Sequence, residues 1–388
     1  MFYNLSQRKA CAFLSEFFKE KEKVMTSKER ILTTLKFGET DRLCFSPLAD
    51  GYFVAGLPKQ GFQYDLIQAL DYVGCDIIER HSPCYREVFD DTVKVETKEV
   101  NGRYETHYTT PVGHINNCFY FENGAMYTKK HLLEEAEDFQ VMTYIARHTD
   151  YELLPELFAE RQRLIGDKGI PTPTAPCSPL LETLQVLCGL ENTTYMLLDE
   201  PEIVEEMFEA LHERNKKVYR LLCNLDSPVV FAYEDTSTTL ISRAWLNEYA
   251  LPALNDYADI LHNGGKMYIT HMCGKLSGFK TDLAAQLKSD GIDSVCPPTT
   301  GDLPIWEARK AFPNKLLLGG IEPPSLVTVP EKQILAYVEE IIERMPTKKG
   351  FILSTGDAVP HGTSIHTLKA IADLVKSLGA DSLKLGKE

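Results

Sequence analysis

The sequence predicts a closed parallel (β/α)8 barrel, and three observations support that fold. Eight short apolar runs recur along the 388 residues, and most of them precede a segment with helical periodicity. This alternation of strand and helix favours a parallel sheet. The chain is long enough for one barrel with additions, and its composition, 44% hydrophobic and 25% charged, is typical of a globular protein. We therefore interpret residues 1–388 as a single barrel domain.

The predicted strands are the eight apolar runs themselves. In chain order they are residues 42–47, 75–80, 172–177, 229–234, 266–271, 292–296, 315–320 and 350–355.

Helix signals between these runs support the alternation. Asp199-Glu200-Pro201-Glu202 opens a helix, because acidic residues and proline are favoured in the first turn. Residues 244–261 have apolar side chains at helical spacing and precede the stop at Asn263-Gly264-Gly265. A further helix begins at Val329-Pro330-Glu331 and runs to about residue 344.

Two segments fall outside the repeat. Residues 1–38 are predicted to form two helices that cap one end of the barrel, the second beginning at a capping box in Thr26-Ser27-Lys28-Glu29. Residues 92–128 are predicted to form β-hairpins, because polar and apolar residues alternate around an Asn101-Gly102 turn. We interpret this second segment as an insertion between barrel strands 2 and 3.

Charge and cysteine usage limit the classes of function. A formal charge of −15 disfavours nucleic acid and anionic membranes as partners. Residues 2–24 contain no apolar stretch long enough for a secretory signal or a bilayer span. The ten cysteines are irregularly spaced and do not resemble a disulfide framework. We expect a cytoplasmic enzyme with reduced thiols, and the oligomeric state stays open, with a homodimer as one option.

The ends of the predicted strands carry candidate metal ligands. His271 and Cys273 lie two residues apart at the end of strand 5, so they point to the same side and can bind one zinc ion. Glu234 ends strand 4, Cys296 ends strand 6 and Asp357 follows strand 8. This mixture of nitrogen, sulfur and oxygen donors suits zinc better than magnesium or calcium. We predict His271, Cys273 and Glu234 as the preferred ligands, with Asp357 or Cys296 next.

Other residues at this end of the barrel are candidates for substrate binding. Tyr52 and Phe53 follow strand 1, and Tyr233 lies at the end of strand 4, where aromatic side chains would line a pocket. Asp235 is predicted to contact the substrate or to hold a metal ligand, although an aspartate after a strand is also a common helix cap.

Five segments in order resemble the uroporphyrinogen decarboxylase-like corrinoid methyltransferases, and the resemblance covers residues 26–378. The segments are Thr109-Thr110-Pro111-Val112-Gly113, Tyr249-Ala250-Leu251-Pro252, His271-Met272-Cys273-Gly274, Leu318-Gly319-Gly320-Ile321 and Gly350-Phe351-Ile352-Leu353. The resemblance implies a barrel enzyme that transfers methyl groups with the help of zinc and a corrinoid.

Departures from the family pattern narrow the expected activity. Decarboxylase members carry an arginine-rich loop after the first strand, whereas residues 48–54 here are acidic and aromatic. Members that methylate thiols carry a later cysteine where this chain has Asp357. Fewer thiolates make zinc a harder Lewis acid that suits an oxygen ligand.

The chain is therefore most similar to the first methyltransferases of anaerobic O-demethylase systems. The similarity implies a methoxylated aromatic as the methyl donor, with Glu234, His271 and Cys273 as the catalytic zinc site. The acceptor would be the cob(I)alamin of a separate corrinoid protein, because the chain has no Asp-x-His-x-x-Gly motif to bind a corrinoid itself. Two alternatives remain: a methylcobalamin:thiol methyltransferase acting on coenzyme M or homocysteine, and a non-catalytic corrinoid-binding scaffold.

Overall fold

A parallel barrel forms the framework of the protein in the computed structural model, which describes residues 24–383. Strands β1, β15, β14, β13, β12, β11 and β10 form one parallel sheet in that spatial order, and β2 pairs with β9. In chain order the strands are β1 (Cys44–Phe45), β2 (Ile77–Glu79), β3 (Tyr85–Phe89), β4 (Lys94–Val100), β5 (Arg103–Thr110), β6 (Gly113–Glu122), β7 (Ala125–Lys130), β8 (Thr149–Leu153), β9 (Gly169–Pro171), β10 (Thr174–Ala175), β11 (Val229–Tyr233), β12 (Met267–His271), β13 (Gly291–Val295), β14 (Leu316–Ile321) and β15 (Phe351–Thr355). The predicted (β/α)8 barrel is confirmed.

The third barrel strand is interrupted, and its two pieces each pair with a different neighbouring strand. Its first piece, β9, pairs with β2, and its second piece, β10, pairs with β11. Pro171 and Pro173 have no N–H to donate, so a continuous ladder is not available between the two pieces. The strand therefore begins three residues before the predicted start at 172. On the other side of β2, the Asp76 N–H donates to the Phe45 carbonyl at 2.8 Å and joins β2 to β1.

The helices follow the strands, as the sequence predicts. They are α1 (Ser27–Leu35), α2 (Gly51–Gly56), α3 (Leu66–Val73), α4 (Ala136–Arg147), α5 (Pro155–Ile165), α6 (Pro179–Glu182), α7 (Leu190–Asp199), α8 (Pro201–Leu222), α9 (Arg243–Trp245), α10 (Leu251–Asn263), α11 (Lys280–Gln286), α12 (Ile305–Ala311), α13 (Ser325–Thr328), α14 (Glu331–Arg344) and α15 (Ile365–Leu378). Two π-helical turns, Thr183–Leu187 and Leu246–Ala250, follow α6 and α9.

Among residues 24–383, the buried hydrophobic side chains form two clusters separated by the barrel wall. One lies inside the barrel and contains Ile78, Phe231, Ile269 and Leu318, each 5% exposed or less. The other, larger cluster lies between the strands and the surrounding helices. Successive side chains of one strand alternate between the barrel interior and the surrounding helices. A residue at a strand end therefore faces one side or the other according to its place in this alternation.

Helix α1 covers the N-terminal end of the barrel, where Ile31 and Leu35 join the interior cluster. The predicted capping box is present, since the Glu29 N–H donates to Thr26 Oγ1 and the Thr26 N–H donates to the Glu29 carboxylate. The first of the two predicted N-terminal helices lies outside residues 24–383. Across residues 24–383, the chain contains no helix with the length and apolarity needed to span a bilayer.

The predicted insertion is a four-stranded antiparallel sheet in the order β4, β5, β6, β7. Asn101-Gly102 and Asn123-Gly124 connect its outer pairs, and all four residues have positive φ, as type I′ turns require. The antiparallel pair β3–β8 and the helices α4 and α5 complete the insertion, which extends beyond the predicted residues 92–128.

A buried ionic cluster ties α1 to the first two barrel strands. Asp76 is fully buried, and its carboxylate accepts hydrogen bonds from Arg30, from Arg42 at 2.9 Å and from the Phe45 N–H at 3.0 Å. Removal of one partner from such a cluster leaves the others uncompensated in the interior.

We expect Asp76→Ala to lower the free energy of unfolding by about 3–5 kcal/mol, because the Arg42 guanidinium would lose its carboxylate partner and Arg30 would keep only Asp41. Urea denaturation followed by circular dichroism measures the change. The matched control is Asp259→Ala, which breaks a half-exposed pair with Lys288 and should change stability by less than about 1 kcal/mol. Equal effects of the two substitutions would contradict the prediction.

Candidate metal centre

A cavity of about 450 Å³ lies at the C-terminal ends of the barrel strands. Its walls combine apolar side chains with a concentration of ionisable groups. The lining residues are Leu48, Ala49, Asp50, Gly51, Leu66, Arg80, His81, Tyr233, Asp235, His271, Cys273, Asp357 and Ala358. This is the end of the barrel at which reactive groups are expected.

Three of these residues form a cluster that could hold a metal ion. One ligand atom each from Asp235, His271 and Cys273 lies within 4.8 Å of the other two. The Cys273 thiol donates to Asp235 Oδ1 at 3.1 Å, and His271 Nε2 lies 3.6 Å from the same oxygen. Asp357 is adjacent, with Oδ1 3.9 Å from His271 Nε2. Nitrogen, sulfur and oxygen donors therefore converge on one point of the cavity.

A buried ion pair fixes the orientation of the His271 imidazole from the side opposite the cluster. Its Nδ1 lies 2.9 Å from Asp293 Oδ2 and 3.0 Å from Ser294 Oγ, so that Nε2 faces the cluster. Asp293 is fully buried, and Arg80 compensates its charge with contacts of 3.0 and 3.1 Å to the two carboxylate oxygens. A carboxylate behind a histidine fixes the ring orientation and raises its basicity as a metal ligand.

The Asp235 side chain is fixed by a residue from an unusual helical turn. Gln185 Nε2 donates to Asp235 Oδ2, which leaves Oδ1 for Cys273 and His271. Gln185 lies in the π-helical turn Thr183–Leu187. Wider turns of this kind are frequent at functional sites.

The protonation behaviour of the cluster fits a site for a cation. Burial, followed by the charges of Asp235 and Asp357, raises the pKa of the Cys273 thiol. Burial also raises the pKa of Asp357. For His271, burial favours the neutral ring, but the Asp293 hydrogen bond and charge raise its pKa above the usual value. Closely spaced acids that disfavour one another's ionised form are stabilised by a bound cation, and the donor types suit zinc.

Glu234, one of the three preferred ligands in the sequence analysis, points away from this cluster. Tyr233 pairs in register with His271, so Tyr233 and Asp235 face the cavity while Glu234 faces the helices. Its carboxyl group accepts hydrogen bonds from the Ser178 N–H at 2.7 Å and the Ser178 hydroxyl at 2.6 Å. Burial raises its pKa to about 8. The structure places Asp235 where the sequence analysis expected Glu234.

Cys296 and two aromatic candidates also lie away from the cavity lining. Cys296 is 1% exposed and packs under Gly356, where a Cβ would lie 2.5 Å from its sulfur. Phe53 is fully buried in the outer core, and Tyr52 packs against the His361 ring with centroids 5.4 Å apart. For Tyr52 and Phe53 the reason is local. Asp50 caps α2, and a helix turns successive side chains in different directions.

Tyr233, the third aromatic candidate, does line the cavity and lies between two histidine rings. Its ring centroid is 4.5 Å from that of His271 and 4.3 Å from that of His81. Burial lowers the pKa of His81 to about 4, so this ring is neutral at pH 7. All three stacked rings line the cavity.

Two residues that support the cluster, Asp293 and Gln185, were not predicted from the sequence. Asp293 could have been found, because a carboxylate within the buried run Gly291–Val295 requires a charged or hydrogen-bonded partner. Gln185 gives no comparable signal, because its contact depends on the π-helical turn.

Comparison with known proteins gives a family and a fold. The profile of the family described as uroporphyrinogen decarboxylase (URO-D) matches residues 174–378. A solved methyltransferase from Methanosarcina mazei is similar in structure, with a TM-score of 0.62 and 15% identity over 91% of this chain and 99% of that chain. A B12-independent methionine synthase from Shewanella sp. W3-18-1 has a TM-score of 0.44 and 10% identity over 87% and 98% of the two chains. None of the curated proteins matches the sequence.

Neighbouring residues in the chain provide a matched test of the cluster. We expect Asp235→Asn to weaken zinc binding by about 10-fold or more, because it removes an anionic donor. Glu234→Gln should change zinc affinity less than about threefold, because the amide imitates a protonated acid outside the cluster. Competition with a chromogenic chelator measures both affinities. The opposite order of effects would restore Glu234 as the ligand.

A second prediction concerns the support of Asp235. We expect Gln185→Ala to weaken zinc binding by about 10–100-fold, the range typical of residues that orient a ligand. Val186→Ala, at the adjacent and 54% exposed position, should leave the affinity unchanged. The same competition measurement applies, and circular dichroism checks that both variants are folded. Unchanged affinity in the Gln185 variant would show that Asp235 does not need this contact.

Proposed function

The chain belongs to the uroporphyrinogen decarboxylase family, and we propose that within it the protein is a zinc-dependent methyltransferase acting on methoxylated aromatics. The methyl group of a phenyl methyl ether would pass to the cob(I)alamin of a separate corrinoid protein. The Methanosarcina methyltransferase is similar to this chain in fold.

The observation that carries this proposal is the mixed donor set at the cavity wall. Asp235 and Asp357 supply oxygen, His271 supplies nitrogen, and Cys273 is the one thiol among the described residues that line the cavity. A site with one thiolate and two carboxylates is harder than a thiolate-rich site and favours an oxygen-containing substrate. The buried position of Cys296 supports this count of thiols.

The chemistry explains why such a site would be needed. Cleavage of an aryl methyl ether leaves the electron pair of the broken C–O bond on a phenolate, which is a poor leaving group. Zinc, when bound, would supply a Lewis acid that stabilises the negative charge developing on this oxygen.

The residues of the chain would position the donor set and the substrate. Asp293 holds the His271 ring, and Gln185 holds Asp235, so neither donor has to reorient during the reaction. Leu48, Leu66 and Ala358 provide apolar walls. A 150 Å³ apolar cavity is sufficient for benzene, so the cavity of about 450 Å³ has room for a substituted ring and for the approach of a methyl acceptor.

The direct test is anaerobic methylation of a reduced corrinoid protein with a panel of methoxylated aromatics. We expect conversion of cob(I)alamin to methylcobalamin in the visible spectrum, release of one phenol per methyl group, and loss of activity after chelator treatment with recovery on addition of zinc. His271→Ala should reduce the rate by at least about 100-fold, because it removes a donor of the metal site.

Two other outcomes would replace the proposal. Demethylation of methylcobalamin by an added thiol, without conversion of any aryl ether, would identify a methylcobalamin:thiol methyltransferase. Corrinoid-protein binding that persists in His271→Ala, with no methyl transfer in either direction, would identify a non-catalytic scaffold.

A further inference from the structure

The charged groups around the cavity are strongly unbalanced. Asp50, Asp235 and Asp357 line it, and Arg80 is the sole arginine or lysine among the described residues of the lining. The identity of a small substrate depends on whether any of these groups can pair with a charge that the substrate carries. The partners of Arg80 and Asp50 within the protein decide this point.

Arg80 is already committed to a carboxylate within the protein. Its side chain is 4% exposed, and its terminal nitrogens contact both oxygens of Asp293, which is fully buried. The Nε and Nη1 atoms of Arg80 have no hydrogen-bond partner among the described residues, but both are shielded from solvent, so a substrate could reach them only if the side chain moved. A substrate anion could recruit this guanidinium only by leaving Asp293 uncompensated in the interior, so Arg80 does not serve as an anion-binding group.

The helix end at the cavity is also occupied. The Asp50 side chain accepts hydrogen bonds from the Tyr52 and Phe53 N–H groups at the start of α2, at 2.9 and 3.3 Å. The free backbone donors that might attract an anion are therefore paired with a residue of the chain itself. Asp50 adds its own negative charge to the cavity wall.

A bound metal ion does not reverse this balance. A zinc ion carries two positive charges, whereas Asp235, Asp357 and the Cys273 thiolate together would carry three negative ones. Asp50 contributes another, and the Arg80–Asp293 pair is neutral as a unit. The loaded cavity therefore retains a net negative charge.

On the basis of the function proposed above, we propose that the cavity selects methyl donors without a negative charge. Uncharged methoxyphenols and methoxybenzamides fit this rule, whereas methoxybenzoates do not. A carboxylate on the ring would be desolvated next to aspartates, and no arginine or lysine of the described lining is free to pair with it. Like-charge contacts of this kind are a common basis of specificity.

The test compares two ligands that differ in charge and hardly in shape. Binding of 4-hydroxy-3-methoxybenzamide and 4-hydroxy-3-methoxybenzoate to the zinc-loaded protein is measured by isothermal titration calorimetry at pH 7. We expect the benzamide to bind at least about tenfold more tightly. Equal affinities, or tighter binding of the benzoate, would overturn the selection rule.

A variant identifies the groups responsible. Asp50→Asn keeps the helix cap, because asparagine caps as well as aspartate, and should narrow the ratio of affinities by about threefold or more. Asp226→Asn makes the same charge change at an exposed position before β11, at the opposite end of the barrel, and should leave the ratio unchanged. Equal effects of the two variants would contradict a local origin of the selectivity.

The outcomes separate this inference from the proposed function. Methyl transfer from both ligands with no preference would overturn the charge rule and leave the methyltransferase standing. Tight binding and demethylation of phenyltrimethylammonium, without turnover of any ether, would support the charge rule and overturn the ether substrate. Binding of none of the three ligands would overturn both.

Discussion

The charge of Asp293 is the constraint on which the arrangement of the cavity depends. A carboxylate in the fully buried strand β13 must be compensated by partners, and Arg80 and His271 are those partners. The three residues belong to β13, to the end of β2 and to β12, so one ionic chain joins separate strands directly below the cavity. Asp293 pairs with Nδ1 of His271, so the other ring nitrogen, Nε2, lies beside Asp235, Cys273 and Asp357. The need to neutralise one buried group thereby fixes the direction of a candidate metal ligand.

Much of the framework could be predicted because the relevant signals are local. Short apolar runs, helix caps and Asn-Gly turns depend on neighbouring residues, and they located the barrel strands, α1 and the β insertion. The pairing of His271 and Cys273 was also accessible, since residues two apart at a strand end face the same side. Their role as metal ligands stays a prediction. Closure of the barrel then brings the ends of neighbouring strands together, so that Asp235 lies close to His271 and Cys273.

The assignment of the carboxylate ligand illustrates where local signals end. All five residues of β11, Val229–Tyr233, are apolar, because both faces of the strand are covered. Such a run does not distinguish the face toward the barrel interior from the face toward the helices, so Glu234 and Asp235 could not be separated from the sequence. The register with β12 separates them, and register depends on residues far apart in the chain. The contact of Gln185 is non-local in the same sense, because the π-helical turn that presents it leaves no clear pattern. Phe53, which was expected to line the cavity, lies in the core instead, because Asp50 caps the helix α2 that contains it.

The turn between β6 and β7 rests on the rim of the barrel, and this contact bears on how the protein can be divided. A Cβ at Gly124 would lie 2.6 Å from the Gly51 carbonyl oxygen and 3.0 Å from the Ala55 side chain, so the turn is seated closely on α2. At its other end the insertion contributes Ile115 and Val93 to the outer hydrophobic core. The β insertion is therefore packed against the barrel and shares its hydrophobic core, so it is not an independent module. Excision of the insertion, or its exchange for that of a relative, would remove the surface that holds the helix carrying Asp50 and would expose part of the core at the same time.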